Sequence, residues 1–338
     1  MQMQENIALA RYTTLKVGGT GRFVAHVGTL AGFEQARLFA VQIDAPVLVL
    51  GHGSNVLISD QGYAGVVIIN QILSRSYQEG EDGTIQATFG AGENFDEVVA
   101  DTVSRGYWGL ENLSHIPGTV GATPIQNVGA YGVEVANLIV GVQAVSLITG
   151  EQKEFSNQDC QFGYRDSFFK TQSGREWMIT HVTYRLTTSE QSAVLGYADL
   201  KTFAEKTNIL SAQNIRQEII RIRSEKFPDW QQIGTAGSFF KNPTISQSKL
   251  TSLLEKYPEL PHYPQPDSSV KVSLGWILDK ICGLRGYSDG DVSLSKHQAL
   301  VLLNRGESAA AITDFVAQVT DEVYQKTQIA IEPEVRIL

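Results

Sequence analysis

Short apolar runs bounded by glycine mark the first part of the chain. Residues 47–50 (VLVL) and 66–69 (VVII) read as buried strands, since unbroken apolar runs need cover on both faces of a sheet. Between Thr29 and Asp44, the residues Leu30, Phe33, Leu38 and Val41 form a helical face. Strand and helix in alternation make this section α/β. Residues 84–89 (TIQATF) alternate as a half-buried strand does, and Asn94 then starts a helix with Glu97 as capping-box partner and Gly106 as its stop. Residues 142–147 and 177–186 (WMITHVTYRL) are again strand-like, so the middle section reads as mixed α+β. The last section is more helical. Ser246 opens a helix carrying Leu250, Leu253 and Leu254, and Ser273 opens another with Trp276, Ile277 and Ile281 inward and Gly283 at its end. Residues 308–325 place Ile312, Phe315, Val316, Val319 and Val323 on one face, and an apolar strand, IAIEPEVRIL, closes the chain.

The chain has 338 residues, 42% of them hydrophobic. Single cores stop growing at roughly 250–300 residues, which predicts at least two domains. A net charge of −9 repels phosphate backbones, so nucleic acid is excluded as a bulk partner. A small anion, which needs only a few cations in a cleft, is not. Cys160 and Cys282 form neither a CxxC pair nor a disulfide framework, and are expected to be reduced thiols. No apolar run approaches a membrane span of about 18–20 residues, and the start, MQMQENIALARYTT, has no apolar signal core. The expectation is a cytoplasmic protein with no membrane partner. Six histidines (26, 52, 115, 181, 262 and 297) form no cluster of metal-ligand spacing, so no metal is expected.

The glycines are unevenly spread. Gly51-His52-Gly53-Ser54-Asn55 directly follows the VLVL strand, where backbone N–H groups can approach an anion closely; an ordinary tight turn is the alternative. A denser cluster runs through Pro117-Gly118-Thr119-Val120-Gly121-Ala122 and Gln126-Asn127-Val128-Gly129-Ala130-Tyr131-Gly132. Two such turns suit a long ligand held at two places, such as a dinucleotide, or serve structure alone. Neither matches the Rossmann fingerprint, and no phosphate-binding P-loop is present.

Three segments carry candidate chemistry. Arg165, in Gly163-Tyr164-Arg165-Asp166, is either half of a structural ion pair or a guanidinium fork for a carboxylate or phosphate. Ser238, between Gly237 and two phenylalanines, does not lie in the G-x-S-x-G elbow of hydrolases, and from its local sequence reads by default as a capping or turn serine. Alternation sets Glu332, Glu334 and Arg336 on one face of the last strand, either as a solvated edge or as paired carboxylates.

Seven segments in order, GHGSNVLI, GLENLSHIPGTVGATPIQNVGAYGVE, CQFGYRDSFFK, AGSFFKNP, KVSLGWILDK, HQALVLLN and IEPEVRIL, resemble the UDP-N-acetylenolpyruvoylglucosamine reductase (UDP-N-acetylmuramate dehydrogenase) family. The resemblance covers nearly the whole chain from about residue 12. It implies an α+β protein of three domains. Two, at 1–70 (with a C-terminal strand at about 334–338) and 71–222, form an FAD-binding unit of the vanillyl-alcohol-oxidase type, and 223–333 covers the substrate. It implies non-covalent FAD, NADPH as reductant, UDP-N-acetylenolpyruvoylglucosamine as substrate, and a monomer.

By similarity, Gly51, His52, Gly53, Ser54, Asn55, Val56 and Leu57 hold the FAD pyrophosphate. Gly118, Thr119, Gly121 and Ala122, with Gln126, Asn127, Gly129, Ala130, Tyr131 and Gly132, line the flavin. Arg165 and Glu334 match residues that polarise the substrate carboxylate, and Ser238 the serine that donates a proton. Gly196-Tyr197-Ala198-Asp199-Leu200 resembles the tyrosine loop of one branch, where the tyrosine closes over the diphosphate; Lys226 and Asn242 match substrate-binding positions. The chemistry is consistent, because an enol ether accepts hydride poorly unless its conjugated carboxylate draws charge away, and a cation aimed there stabilises that charge. An ionised Glu334 would oppose it, so this carboxyl is expected to be protonated or tied to a cation or donor. The rival classes are an FAD-linked oxidase of alcohols or sugars, which has no need of a Ser238 proton donor, and a non-catalytic nucleotide-binding module.

Overall fold

The VVII run becomes the middle of a strand, Tyr63–Asn70, whose residues Val66, Val67, Ile68 and Ile69 are all buried. Its neighbours are Thr20–Val27 on one side and Val47–Leu50 on the other, both parallel to it, with Gln2–Ala8 at the far edge. The computed structural model describes residues 2–207 and 210–338. They form two compact units. Of the described residues, the first holds those within 2–7, 21–52 and 63–224; the second holds 8–20, 53–62 and 225–338.

In the first unit the helix Leu30–Gln42 lies on the parallel sheet, capped by Thr29, whose Oγ1 accepts the Gly32 N–H at 3.1 Å. Its inward face differs from the expected one. Phe33, Ala36, Arg37 and Ala40 are buried, while Leu38 is 52% and Val41 62% exposed. Small residues let the helix sit close to the sheet, and a polar tie sets its rotation. Arg37 grips Glu34 with two nitrogens and donates Nη1–H to the Ile148 carbonyl at 2.8 Å. That partner lies 111 residues away, beyond any local pattern.

A second sheet in this unit is antiparallel, in the order Gln152–Ser156, Ile139–Ser146, Trp177–Thr187, Thr84–Gly90, Arg75–Glu79. The expected cap at Asn94 is present. Its Oδ1 accepts the Glu97 N–H at 3.2 Å at the head of the Phe95–Ser104 helix. Glu97 itself turns towards Arg75 at 3.6 Å. A further helix, Ala212–Lys226, buries Ile215, Ile219 and Ile222 in the same core.

The second unit packs two three-stranded sheets and the helix Ala309–Thr327, whose buried Ile312, Phe315, Val316, Val319 and Val323 match the expected face. The helix from Ser273 is altered. After Leu274–Trp276 the backbone opens into a π-turn, Ile277–Ile281, which rotates the face so that Leu278 is fully buried and Ile281 only partly. The final strand is also shorter than expected. Only Arg336–Ile337 pairs, parallel to Val56–Leu57, while Ile331 and Val335 stay inward and Glu332 and Arg336 outward.

Asp60 caps the Ala309–Thr327 helix from a distant segment. Its carboxylate accepts the Ala309 and Ala310 N–H groups at 2.7 and 3.0 Å and the Ser308 hydroxyl at 2.9 Å. Those backbone bonds hold the carboxyl below the usual carboxylate range. Asp60→Ala is expected to cost about 0.5–2 kcal/mol of stability at neutral pH, read from denaturant midpoints. Because the folded pKa is depressed, this contribution is complete above the unfolded value of about 3.9 and fades as pH falls through the folded one. The midpoints of parent and variant should therefore converge in acid; a constant gap would rule out the charged cap.

Candidate functional site

In the first unit the two glycine clusters touch. The Val47–Leu50 strand delivers Gly51 against Thr119, and a Cβ on Gly51 would overlap the Thr119 side chain. The 118–121 turn is fastened from behind, because Gly118 accepts the Phe95 N–H at 3.1 Å, and Val120 and Gly121 donate to Glu93 and Ala91, each at 2.9 Å. A Cβ on Gly121 would come within 2.7 Å of the Ala91 Cβ. The glycines thus bring two backbone turns closer than any side chain permits. His52 follows Gly51; dehydration of its ring lowers its pKa, and Glu97 pulls the other way.

The next turn is braced by Asn127, a buried left-handed residue (φ 43°). Its Nδ2 donates to Glu134 at 2.9 Å and to the Gly163 carbonyl at 2.8 Å, and its Oδ1 accepts the Ala136 N–H at 3.1 Å. The side chain named as flavin-lining is thus occupied in tying this turn to the one that carries Arg165. Arg165 sits in a hairpin closed by paired Gly163 and Asp166 hydrogen bonds, with φ at 53°, a strained value for a non-glycine residue. Its Nη2 donates to the Gly129 carbonyl at 2.8 Å, and Lys170 donates to its carbonyl at 2.6 Å. Tyr131 is also left-handed, and its ring meets Tyr197 edge-on at 4.9 Å.

Arg223 is a residue of this neighbourhood that sequence reasoning left unassigned. Its Nε donates to the His115 carbonyl at 3.0 Å. Burial pushes its pKa down, while Tyr131 and Asp96 support its charge and Arg165 opposes it. Asp96 is itself held by Arg216 at 2.5 and 3.0 Å; burial works against its charge, yet Arg216 and the His115 N–H keep its carboxyl below the usual range. The available signal was an amphipathic helix with two arginines, 216 and 223, spaced to share one face. Arg165, Arg223 and Tyr131 therefore form a cationic neighbourhood suited to an anion.

The second unit holds the other candidates. Gly53, buried at φ 59°, is pressed so closely against Tyr12 and Thr13 that a Cβ would overlap the Tyr12 carbonyl. Gly53 accepts the Thr14 N–H at 3.2 Å, and the Thr14 hydroxyl is buried with no hydrogen-bond partner among the described residues. Nothing in the local pattern singled out Thr14. Asn55 is divided between the turn and the chain end, since its Nδ2 donates to the Glu334 carbonyl at 3.2 Å and its carbonyl accepts the Arg336 N–H at 3.1 Å.

Ser238 and Glu334 lie on neighbouring extended segments joined by isolated bridges. Phe240 bridges Pro333, Glu334 donates its N–H to the Phe239 carbonyl at 2.7 Å, and Ser238 bridges Val301 on the other side. Phe239 and Phe240 anchor the segment in the core, leaving Ser238 half-buried. Asn242 accepts the Leu274 N–H at 3.0 Å, and Lys226 is half-buried at the head of this unit. Among the described residues no helix is long and apolar enough to cross a membrane, and no cluster of His, Cys, Asp or Glu has metal-binding geometry.

These features fit an FAD. In the first unit, Gly51 and Gly121 let their turns pack backbone against neighbouring residues with no side chain between, the close approach that a cradle for a phosphate-bearing ligand requires. Residues 22–156 match the family model described as an FAD binding domain, and residues 229–338 match that of the UDP-N-acetylenolpyruvoylglucosamine reductase C-terminal domain. The reductase of that name from Porphyromonas gingivalis W83 is 40% identical over 87% of each chain. That from Chromobacterium violaceum is 36% identical over 100% of this chain and 99% of its own. The chain belongs to the UDP-N-acetylenolpyruvoylglucosamine reductase family. A crystal structure of the Thermus caldophilus reductase shares the fold, with a TM-score of 0.69 at 24% identity over 99% of both chains. As a member of this reductase family, the protein is an FAD-dependent oxidoreductase, with an FAD-binding domain matched over residues 22–156.

Proposed function

We propose that the protein takes reducing equivalents from NADPH and uses them to convert UDP-N-acetylenolpyruvoylglucosamine into UDP-N-acetylmuramate for peptidoglycan synthesis. The observation that carries this reading is the full-length similarity to reductases of that name, joined to the glycine turns at Gly51 and Thr119. FAD, held by the turns at Gly51 and at Gly118 to Gly121, would supply hydride chemistry to the enolpyruvyl group. The residues of this chain do the rest. Arg165, held at the tip of its hairpin, faces the substrate carboxylate and stabilises the charge that develops there. Glu334 shares that task from the segment beside Ser238. Ser238 gives a proton to C2, a role a hydroxyl can fill only when geometrically held. Tyr197, Lys226 and Asn242 hold the nucleotide end, remote from the reacting carbons. NADPH reduces first and leaves before the enolpyruvyl substrate enters, so the kinetics are ping-pong.

The visible spectrum tests this reading. Purified protein is expected to be yellow, to release its flavin on acid or heat treatment, to bleach with NADPH and to recover its colour when the enolpyruvyl substrate is added without oxygen. A colourless protein that cannot be reconstituted with FAD would refute it. Bleaching without recovery would refute the substrate alone.

A further inference from the structure

Asn112 is fully buried and has no part in the roles above. Its Nδ2 donates two hydrogen bonds, to the Tyr131 carbonyl at 2.9 Å and the Val194 carbonyl at 2.8 Å. Tyr131 belongs to the turn after Gln126. Val194 precedes Tyr197 by three residues, on the segment that leads from the Trp177–Thr187 strand to the Ala198–Lys206 helix. One amide therefore ties the tyrosine loop to the glycine turn.

Two further observations single this tie out. The Asn112 Oδ1 is buried without a hydrogen-bond partner among the described residues. A residue there only to fill space would be better apolar, since a buried acceptor lacking a partner is unfavourable. Flipping the amide gives no relief, because it would set that oxygen against two carbonyls. The loop is also loosely packed on its other side, where Ser192 and Val194 border a cavity of about 270 Å³ with Trp108, Leu138 and Leu186. Ala193 and Leu195 pack against the core, and the amide and the Tyr131–Tyr197 ring contact add polar and aromatic ties on either side of them.

We propose that Asn112 is a positioning residue for the substrate, keeping Tyr197 where it meets the diphosphate; this rests on the reading of Tyr197 given above. Without the tie the loop samples other positions. Apparent affinity then falls by the fraction of time that Tyr197 is out of place.

The test uses FAD-loaded full-length protein. Asn112→Asp keeps the shape but removes both donors, and Asn112→Ala removes them without adding charge. The KM for the enolpyruvyl substrate is expected to rise about ten- to hundredfold, with kcat at saturation within about twofold and flavin content unchanged. In a Tyr197→Phe background the same substitutions should add less than about threefold, because a latch that places a hydroxyl has little left to place once it is gone. A KM within about twofold of the parent in a flavin-loaded variant overturns the inference. So does full additivity with Tyr197→Phe, and so does loss of flavin or of kcat in both variants, which would make Asn112 merely structural. Failure of the unaltered protein to turn over the enolpyruvyl substrate is a separate result: it removes the reading of the site, and the inference with it.

Discussion

Ser238→Ala is expected to retain its FAD and to be bleached by NADPH at nearly the parental rate, while its reoxidation by the enolpyruvyl substrate slows about 10²–10⁴-fold. The loss corresponds to roughly 3–5 kcal/mol of transition-state stabilisation. The asymmetry follows from the role. A proton is needed at C2 only after the substrate has accepted hydride, so only the second half-reaction depends on its donor. The fold suits the serine to this task, since its backbone is fixed by the Val301 bridge on one side and followed by Phe239 at 0% exposure. Gly237 before it adopts φ 73°, a left-handed turn that glycine takes without strain. Alanine keeps this geometry and removes only the hydroxyl. Stopped-flow traces of the two half-reactions decide the matter. Equal slowing of both would make Ser238 a structural residue, and near-normal reoxidation would pass the proton to water or another group.

Gly51→Ala should weaken FAD binding by about ten- to hundredfold with the protein still folded, the usual cost of overpacking a tight contact. The new Cβ would overlap the Thr119 Oγ1, and rotating that side chain brings no relief because its Cγ2 and Cβ already lie 3.1 and 3.3 Å from the same point. Thr119 is 3% exposed and its turn is pinned to Glu93, Ala91 and Phe95, so the strain must spread into the turn itself. Thr119→Ala in the same chain should return most of the lost affinity by clearing the Oγ1 and Cγ2 atoms. Fluorescence titration of the apoprotein with FAD measures both variants. Full flavin occupancy in Gly51→Ala, or no recovery in the double variant, would show that contact between the turns does not shape the flavin site.

Much of this molecule is legible in its residues. The helix at Ala309–Thr327 buries the face its apolar spacing announces, and Asn94 and Ser246 cap the helices they precede. Those features depend on neighbours within a few positions, so local order suffices to read them. The family motifs are legible for a related reason, since turns such as 51–55 and 118–132 need particular residues at particular places. Other features were decided only by the folded chain. Arg37 turned the Leu30–Gln42 helix away from its most apolar face because its guanidinium found the Ile148 carbonyl. A π-turn brought Leu278 inward in place of Ile281. Residues 8–20 and 53–62 joined the C-terminal unit although sequence order sets them with the N-terminal sheet. Arg223, Thr14 and Asn112 became notable only through partners, or a missing partner, that the fold supplies. Apolar spacing records which side a segment turns to the core; polar groups take their meaning from what lies opposite them, and that is set by contacts between segments far apart in the chain.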